Sequence, residues 1–266
     1  MLDFNHIRKC LASSLGETLW PTRCIGCDEP DTLLCPKCAA QLPYIDLRAS
    51  CPRCGAPYGK INCTECADFS SVSGDGAPAA RFPFVHARAA CTYEGVAKEL
   101  ILAYKDGDEV RLDAFVAELI AGAIAGAVHP SPGVDGTRFA HERPSDLRCW
   151  ADALVAIPTS AAARRRRGYD HMERVAQHCA RSTGLPLLHA LRHARTVADQ
   201  RALGAEERML NRQGSFELAK DVGQLPSHIV LVDDVFTTGA TTSAAAAALV
   251  AGGAREVVVT VAARVW

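Results

Sequence analysis

The densest chemistry in the chain lies at 229–242, which reads IVLVDDVFTTGATT. Aliphatic residues run into a carboxylate pair, Asp233 and Asp234. Val235 and Phe236 then lead to Thr237, Thr238, Gly239, Ala240 and Thr241. The apolar run predicts a buried parallel strand. The alanine-rich stretch at 243–251 is a strong helix former. Strand, hydroxyl-rich turn and helix N-terminus in that order leave free backbone N–H groups and the positive end of a helix dipole facing one anion, above all a phosphate. The threonine hydroxyls add donors, and Gly239 lets the backbone approach closely. Two adjacent carboxylates at the strand end accept hydrogen bonds from a vicinal diol. A phosphate site beside a diol site describes a pocket for a ribose 5-phosphate. A capped helix alone accounts for one acid and one threonine, not for the whole ordered set.

The cysteines carry the second chemistry. Of twelve, eight form C-x-x-C pairs: Cys24/Cys27, Cys35/Cys38, Cys51/Cys54 and Cys63/Cys66. The first twenty residues lack a signal peptide's basic start and apolar centre, so a disulfide framework is not expected and metal binding is favoured. Residues 24–66 hold few large apolar side chains, and zinc held by four thiolates supplies stability that burial cannot. Sequential pairing gives one zinc to Cys24, Cys27, Cys35 and Cys38 and a second to Cys51, Cys54, Cys63 and Cys66; spacing alone leaves a crossed pairing, and one zinc or two, open. A redox C-x-x-C wants one pair beside a βαβ unit rather than four in a loop-rich stretch. With all ligand positions taken by sulfur, the role is structural or docking. Cys10, Cys91, Cys149 and Cys179 stand alone and are expected to be buried and inert.

The elements that position these groups follow from pattern. Residues 1–20 suggest an amphipathic helix with Phe4, Ile7, Leu11, Leu15 and Leu19 on one side. The ribbon occupies 21–69 and a Ser/Gly-rich linker 70–81, and a compact domain fills 82–266. Within it, strands are expected at 84–93, 153–157, 185–188, 215–219, 229–234 and 256–264, the last closing the sheet. Helices are expected at 95–104, 110–128, 172–182 and after Gly239. The stretch 129–150, with three prolines, reads as an irregular insertion, and 192–213 as polar and basic without periodicity. Strands alternating with helices imply an α/β fold with a doubly wound, mostly parallel sheet, whose ligands bind at the strand C-termini, where Pro158 and Asp233 both fall. The formal net charge of −1 gives no global hint of nucleic acid. No apolar run reaches the ~18 residues of a membrane span, and a cytoplasmic protein is expected.

The 229–242 stretch resembles the phosphoribosyl pyrophosphate signature of type I phosphoribosyltransferases. More narrowly, LVAIPTS and RRRRGYDHMERVA within 154–176, QRALGAEERMLNRQGSFEL at 200–218 and the signature itself resemble the ComF family of competence and DNA-uptake proteins. That family also carries a Lys-x-Gly element, matched by Lys105-Asp106-Gly107, and commonly an N-terminal Cys-rich ribbon. The resemblance implies a type I phosphoribosyltransferase fold behind a zinc ribbon. It implies that Asp233 and Asp234 hold the ribose hydroxyls and that residues 237–241 wrap the 5-phosphate. Lys105, Arg164, Arg167 and Arg201 are the candidate anion binders. The turn Pro158-Thr159-Ser160 is expected to offer backbone N–H groups to the pyrophosphate, Arg208 and Asn211 sit in a segment able to close as a lid, and Gln200 is a further substrate-binding candidate. Mg²⁺ is the implied partner of phosphoribosyl pyrophosphate, and single-stranded DNA or DNA-uptake proteins are implied partners of the chain. The leading reading is pentosyl transfer; the alternative is a non-catalytic module that binds single-stranded DNA or senses the sugar phosphate. The chain departs from the family at Tyr169, Asp170 and His171, where Phe, Asn and Gln are usual. Two neutral amides are thereby exchanged for ionisable groups.

Overall fold

The computed structural model describes residues 22–61, 63–67, 82–107, 109–126, 145–194 and 215–266. The expected N-terminal helix, the linker, most of the 129–150 insertion, and Gln200, Arg201, Arg208 and Asn211 lie outside the described residues.

A parallel sheet of four strands forms the centre. They are β1 (His86–Thr92), β2 (Ala153–Ala156), β5 (His228–Phe236) and β6 (Glu256–Arg264), in the order β1-β6-β5-β2. The sequence expectation put 256–264 last in the sheet, but β6 is central. Its run of valines is buried from Val257 onward on both faces, which only an interior parallel strand can be. Leu187 extends the other side by an isolated parallel bridge to Leu154, less than the strand expected at 185–188. A separate antiparallel pair joins β3 (Leu191–His193) to β4 (Phe216–Leu218), so the strand expected at 215–219 forms outside the main sheet.

Helices cover both faces. On one lie α3 (Gly95–Lys105), α4 (Asp113–Ile124, preceded by a 3-10 turn at Val110–Leu112) and α6 (His171–Thr183). Leu100, Ile101, Phe115, Ile120, Met172 and Val175 pack there against Leu154, Val230 and Val232. On the other lies α7 (Ala240–Ala251), whose Ala245, Ala246 and Leu249 meet Leu231, Val257 and Val259. The alternation of Val230 and Val232 against Ile229 and Leu231 sends successive β5 side chains to opposite faces. A helix the sequence reading missed, α5 (Ala161–Arg167), links β2 to α6. Four consecutive arginines give it no apolar stripe, and it holds through Ser160, whose Oγ accepts the Ala163 N–H, and a left-handed Gly168 at its end.

The ribbon contains two short helices, α1 (Pro36–Ala40) and α2 (Thr64–Ala67). It docks on the free edge of β1. Tyr44 forms an antiparallel bridge with Cys91, the Ile45 N–H donates to the Ala90 carbonyl at 2.9 Å, and the Thr92 N–H donates to the Pro43 carbonyl at 2.9 Å. The edge that would otherwise template aggregation is thereby paired. Leu33, Leu34 and Leu42 join the core cluster of α3 and α4, so the ribbon lends apolar surface as well as sulfur.

Candidate functional site

The two cysteine clusters pair sequentially, which settles the crossed alternative. Sulfurs of Cys24, Cys27, Cys35 and Cys38 lie within 4.8 Å of one another, as do those of Cys51, Cys54, Cys63 and Cys66. Four sulfurs about 2.3 Å from a tetrahedral zinc stand about 3.8 Å apart. Here Cys27–Cys35 is 3.6 Å, Cys51–Cys66 is 3.9 Å and Cys54–Cys63 is 3.6 Å. Backbone N–H groups point at sulfur, from Cys35 to Cys24 at 3.3 Å and from Arg53 to Cys51 at 3.4 Å, as thiolates require. Both clusters fit zinc. Of the lone cysteines, Cys91 and Cys179 are buried as expected, whereas Cys149 is exposed at the end of a 3-10 turn; Cys10 lies outside the described residues.

The acid pair ends β5, and period-two alternation separates its roles. Asp234 turns into the face covered by α3 and α6. Its Oδ2 takes the Lys105 ammonium at 2.7 Å and His171 Nε2 at 3.2 Å, and its Oδ1 accepts the Val235 N–H at 2.7 Å. Burial alone would raise its pKa; the His171 hydrogen bond and the Lys105 charge outweigh that and hold it at about 2. Lys105 in turn sits above the usual lysine range, because Asp234 overcomes the burial that works against its charge. Asp233 is half-buried on the opposite face and accepts the Asp234 N–H through Oδ1 at 2.9 Å. Burial first, then the neighbouring Asp234 charge, pushes its carboxyl above the ordinary range. One acid is therefore committed to protein cations, and the other awaits a partner.

α6 and the turn after β2 complete the cluster. Asp170 caps α6, accepting the Glu173 N–H at 3.1 Å and the Thr159 hydroxyl at 2.6 Å. His171 Nδ1 lies 2.8 Å from Thr159 Oγ1 and 3.3 Å from Arg167 Nη1. Because an ionised Asp234 only accepts, Nε2 carries the proton toward it. Arg167 spans to Asp106 at 3.0 Å while its side chain is 6% exposed. Lys105, Thr159, Arg167 and Asp234 are thus brought together, and Asp170 and His171 hold that grouping. The His171–Asp234 contact is what sequence reasoning missed; its signal was the ionisable pair Asp170-His171 at the start of a helix. Arg164 is not part of the cluster, since its side chain is exposed on α5. The Pro158 carbonyl accepts from His193 at 2.9 Å, and Ser160 is engaged as the α5 cap.

The turn into α7 exposes Thr237, Thr238 and Thr241 to solvent. Gly239 caps the helix at φ 79°, and a Cβ there would stand 2.6 Å from the Phe236 ring. Only glycine satisfies both demands. The Thr238 hydroxyl accepts the Ala240 N–H at 3.4 Å, and Thr242 donates to the Gly239 carbonyl at 3.0 Å, so the loop is set from both sides.

A pocket of about 250 Å³ opens at the same sheet edge, between ribbon and core. Three of the chain's five tyrosines line it, Tyr44, Tyr58 and Tyr93, together with Trp266, Asp46 and Glu94. The rings of Tyr58 and Trp266 are tilted 59° to each other with centroids 6.1 Å apart. The charges of Lys105 and Asp234 act on the Tyr93 phenol, and the Val265 N–H donates to the Phe236 carbonyl at 2.9 Å, which ties the pocket floor to the end of β5.

Fold and site define an α/β chain with a mostly parallel sheet and an N-terminal module of two four-cysteine clusters. The family model for the double zinc ribbon domain matches residues 15–69. None of the curated proteins compared with the chain matches it. Among the described residues no helix is long and apolar enough to cross a membrane.

Proposed function

We propose that the chain binds phosphoribosyl pyrophosphate with Mg²⁺ at the C-terminal edge of its sheet and transfers the pentosyl group, as the resemblance to the ComF branch of type I phosphoribosyltransferases implies. The observation that carries this reading is the placement of a solvent-facing threonine loop at the α7 N-terminus, three residues after a half-buried Asp233 that forms no ion pair among the described residues. Phosphate meets N–H groups and hydroxyls; the ribose diol meets Asp233. Asp234 anchors Lys105 and His171, and Lys105 and Arg167 offset the negative charge that grows on the departing diphosphate. Mg²⁺ would supply further charge neutralisation, with Asp233 the carboxylate open to it. In each cluster of the ribbon, four thiolates would hold one zinc.

The aromatic pocket supports a planar acceptor laid against the exposed ring of Tyr58 or Trp266, with Glu94 at its rim to take an N–H group. At about 250 Å³ it lies below the ~300–1,000 Å³ of drug-sized ligand sites and suits a single ring system. The exposed Arg164, Arg165 and Arg166 on α5 favour one second reading, a binder of single-stranded DNA without turnover. The test is equilibrium binding of phosphoribosyl pyrophosphate to the wild-type chain and to the double variant Asp233→Asn, Asp234→Asn. The proposal requires saturable, Mg²⁺-dependent binding that the double variant loses while its circular dichroism is unchanged. Equal affinity in the two proteins would sink it. Salt-dependent DNA binding without diphosphate release would move the assignment to the second reading.

A further inference from the structure

Arg264 ends the central strand β6 and is 2% exposed, among the largest fully buried side chains described. A buried guanidinium needs compensating charge, and it finds little from ordinary acids. Its Nη2 lies 3.5 Å from the Cys54 sulfur and 3.5 Å from Glu65, itself a half-open residue of the ribbon. Its Nε and Nη1 have no acceptor among the described residues. Its flat face lies over Phe236, 4.6 Å from ring centre to Cζ. Phe236 is the last residue of β5, and its ring is the atom group that a side chain at Gly239 would strike.

We infer that Arg264 is the counter-charge of the second cysteine cluster and that metal in that cluster sets the packing of the Thr237–Thr241 turn. Four thiolates and one zinc leave two negative charges, and Arg264 is the buried cation facing them. With the metal bound, the guanidinium is held against Cys54 and clamps the Phe236 ring beneath Gly239. With the metal gone, the four sulfurs are no longer held together beside it, and Arg264 loses its partner. It must then draw water or move, and the Phe236 end of β5 loosens with it. The path from metal to loop is a chain of three contacts: Cys54 to Arg264, Arg264 to Phe236, Phe236 to Gly239. The inference does not depend on which sugar phosphate the loop receives.

The test uses the full chain loaded with zinc. Competition against a chromophoric chelator reads the affinity of each cluster, and Cys63→Ser, which removes the second cluster's zinc alone, assigns the two steps. Arg264→Met should weaken the second site by roughly ten- to a hundred-fold and leave the first unchanged; Arg264→Lys should recover most of the loss. In the wild type, amide hydrogen exchange at 236–241 should accelerate when the second zinc leaves. Unchanged zinc affinity in Arg264→Met, or a lysine variant as weak as the methionine one, overturns the inference. If Arg264→Met does not fold, the wild-type exchange decides: no acceleration at 236–241 on loss of the second zinc refutes the coupling.

Discussion

The ribbon and the sheet are stabilised by different means, and they meet along β1. In the sheet, β5 and β6 bury Ile229, Val230, Leu231, Val257, Val258 and Val259 with helices on both faces. In the second half of the ribbon the buried apolar cluster is Cys51, Cys54 and Ala56, with Cys63, Cys66 and Phe82 against it. Ordering each residue costs about 1–2 kcal/mol of backbone entropy, and three small buried side chains do not offset it. The first half is intermediate, with Leu33, Leu34 and Leu42 shared with the core. The comparison teaches that metal is needed most where the sequence supplies least apolar surface, and that the aromatic pocket lies where the two kinds of order touch.

The sharpest way to break the comparison is to remove the metal. Chelation at neutral pH should unfold 46–67 while the sheet survives, since structural zinc contributes about 10 kcal/mol or more to such modules. Limited proteolysis cutting within the ribbon before the core is the expected readout; a ribbon equally resistant without zinc would contradict it. Leu231→Ala probes the other side. It should cost about 3 kcal/mol in urea unfolding without altering zinc stoichiometry.

Smaller effects separate the two acids. Asp234→Asn leaves Lys105 and His171 without their shared partner and should cost about 2 kcal/mol. Because the folded Asp234 pKa is depressed to about 2, its stabilisation is full above the unfolded carboxylate value of about 3.9 and fades as pH falls through 2. Asp233 has the opposite sign. Its folded pKa is raised, so its contribution is present below the unfolded value and is lost as pH rises through the folded one. Asp233→Asn should therefore raise the melting temperature near pH 8, a gain of about 1 kcal/mol, while lowering sugar-phosphate affinity. A destabilised Asp233→Asn at pH 8 would show that its carboxylate is structural.

Local patterns were legible in the sequence. The apolar run of β5, the glycine turn and the alanine helix announce themselves within fifteen residues, whereas the cysteine pairing, sequential in the structure, is left open by spacing. What was not legible depends on distance along the chain. The central position of β6 is a matter of strand order, which no local pattern encodes. Helix α5 was missed because Arg164–Arg167 carry no periodicity and the capping Ser160 alone starts it. The bridge of Tyr44 to Cys91 joins two modules, and His171 meets Asp234 across 63 residues. The sequence placed the acids side by side; only the structure shows that one is paired with cations and the other is half-buried without them.

One measurement addresses the central claim most directly: calorimetric titration of the zinc-loaded chain with phosphoribosyl pyrophosphate and Mg²⁺, with released diphosphate followed in the same sample. The account predicts saturable, Mg²⁺-dependent heat and diphosphate release once a planar acceptor is added. Absence of any binding at the Asp233 and Thr237–Thr241 edge would contradict it.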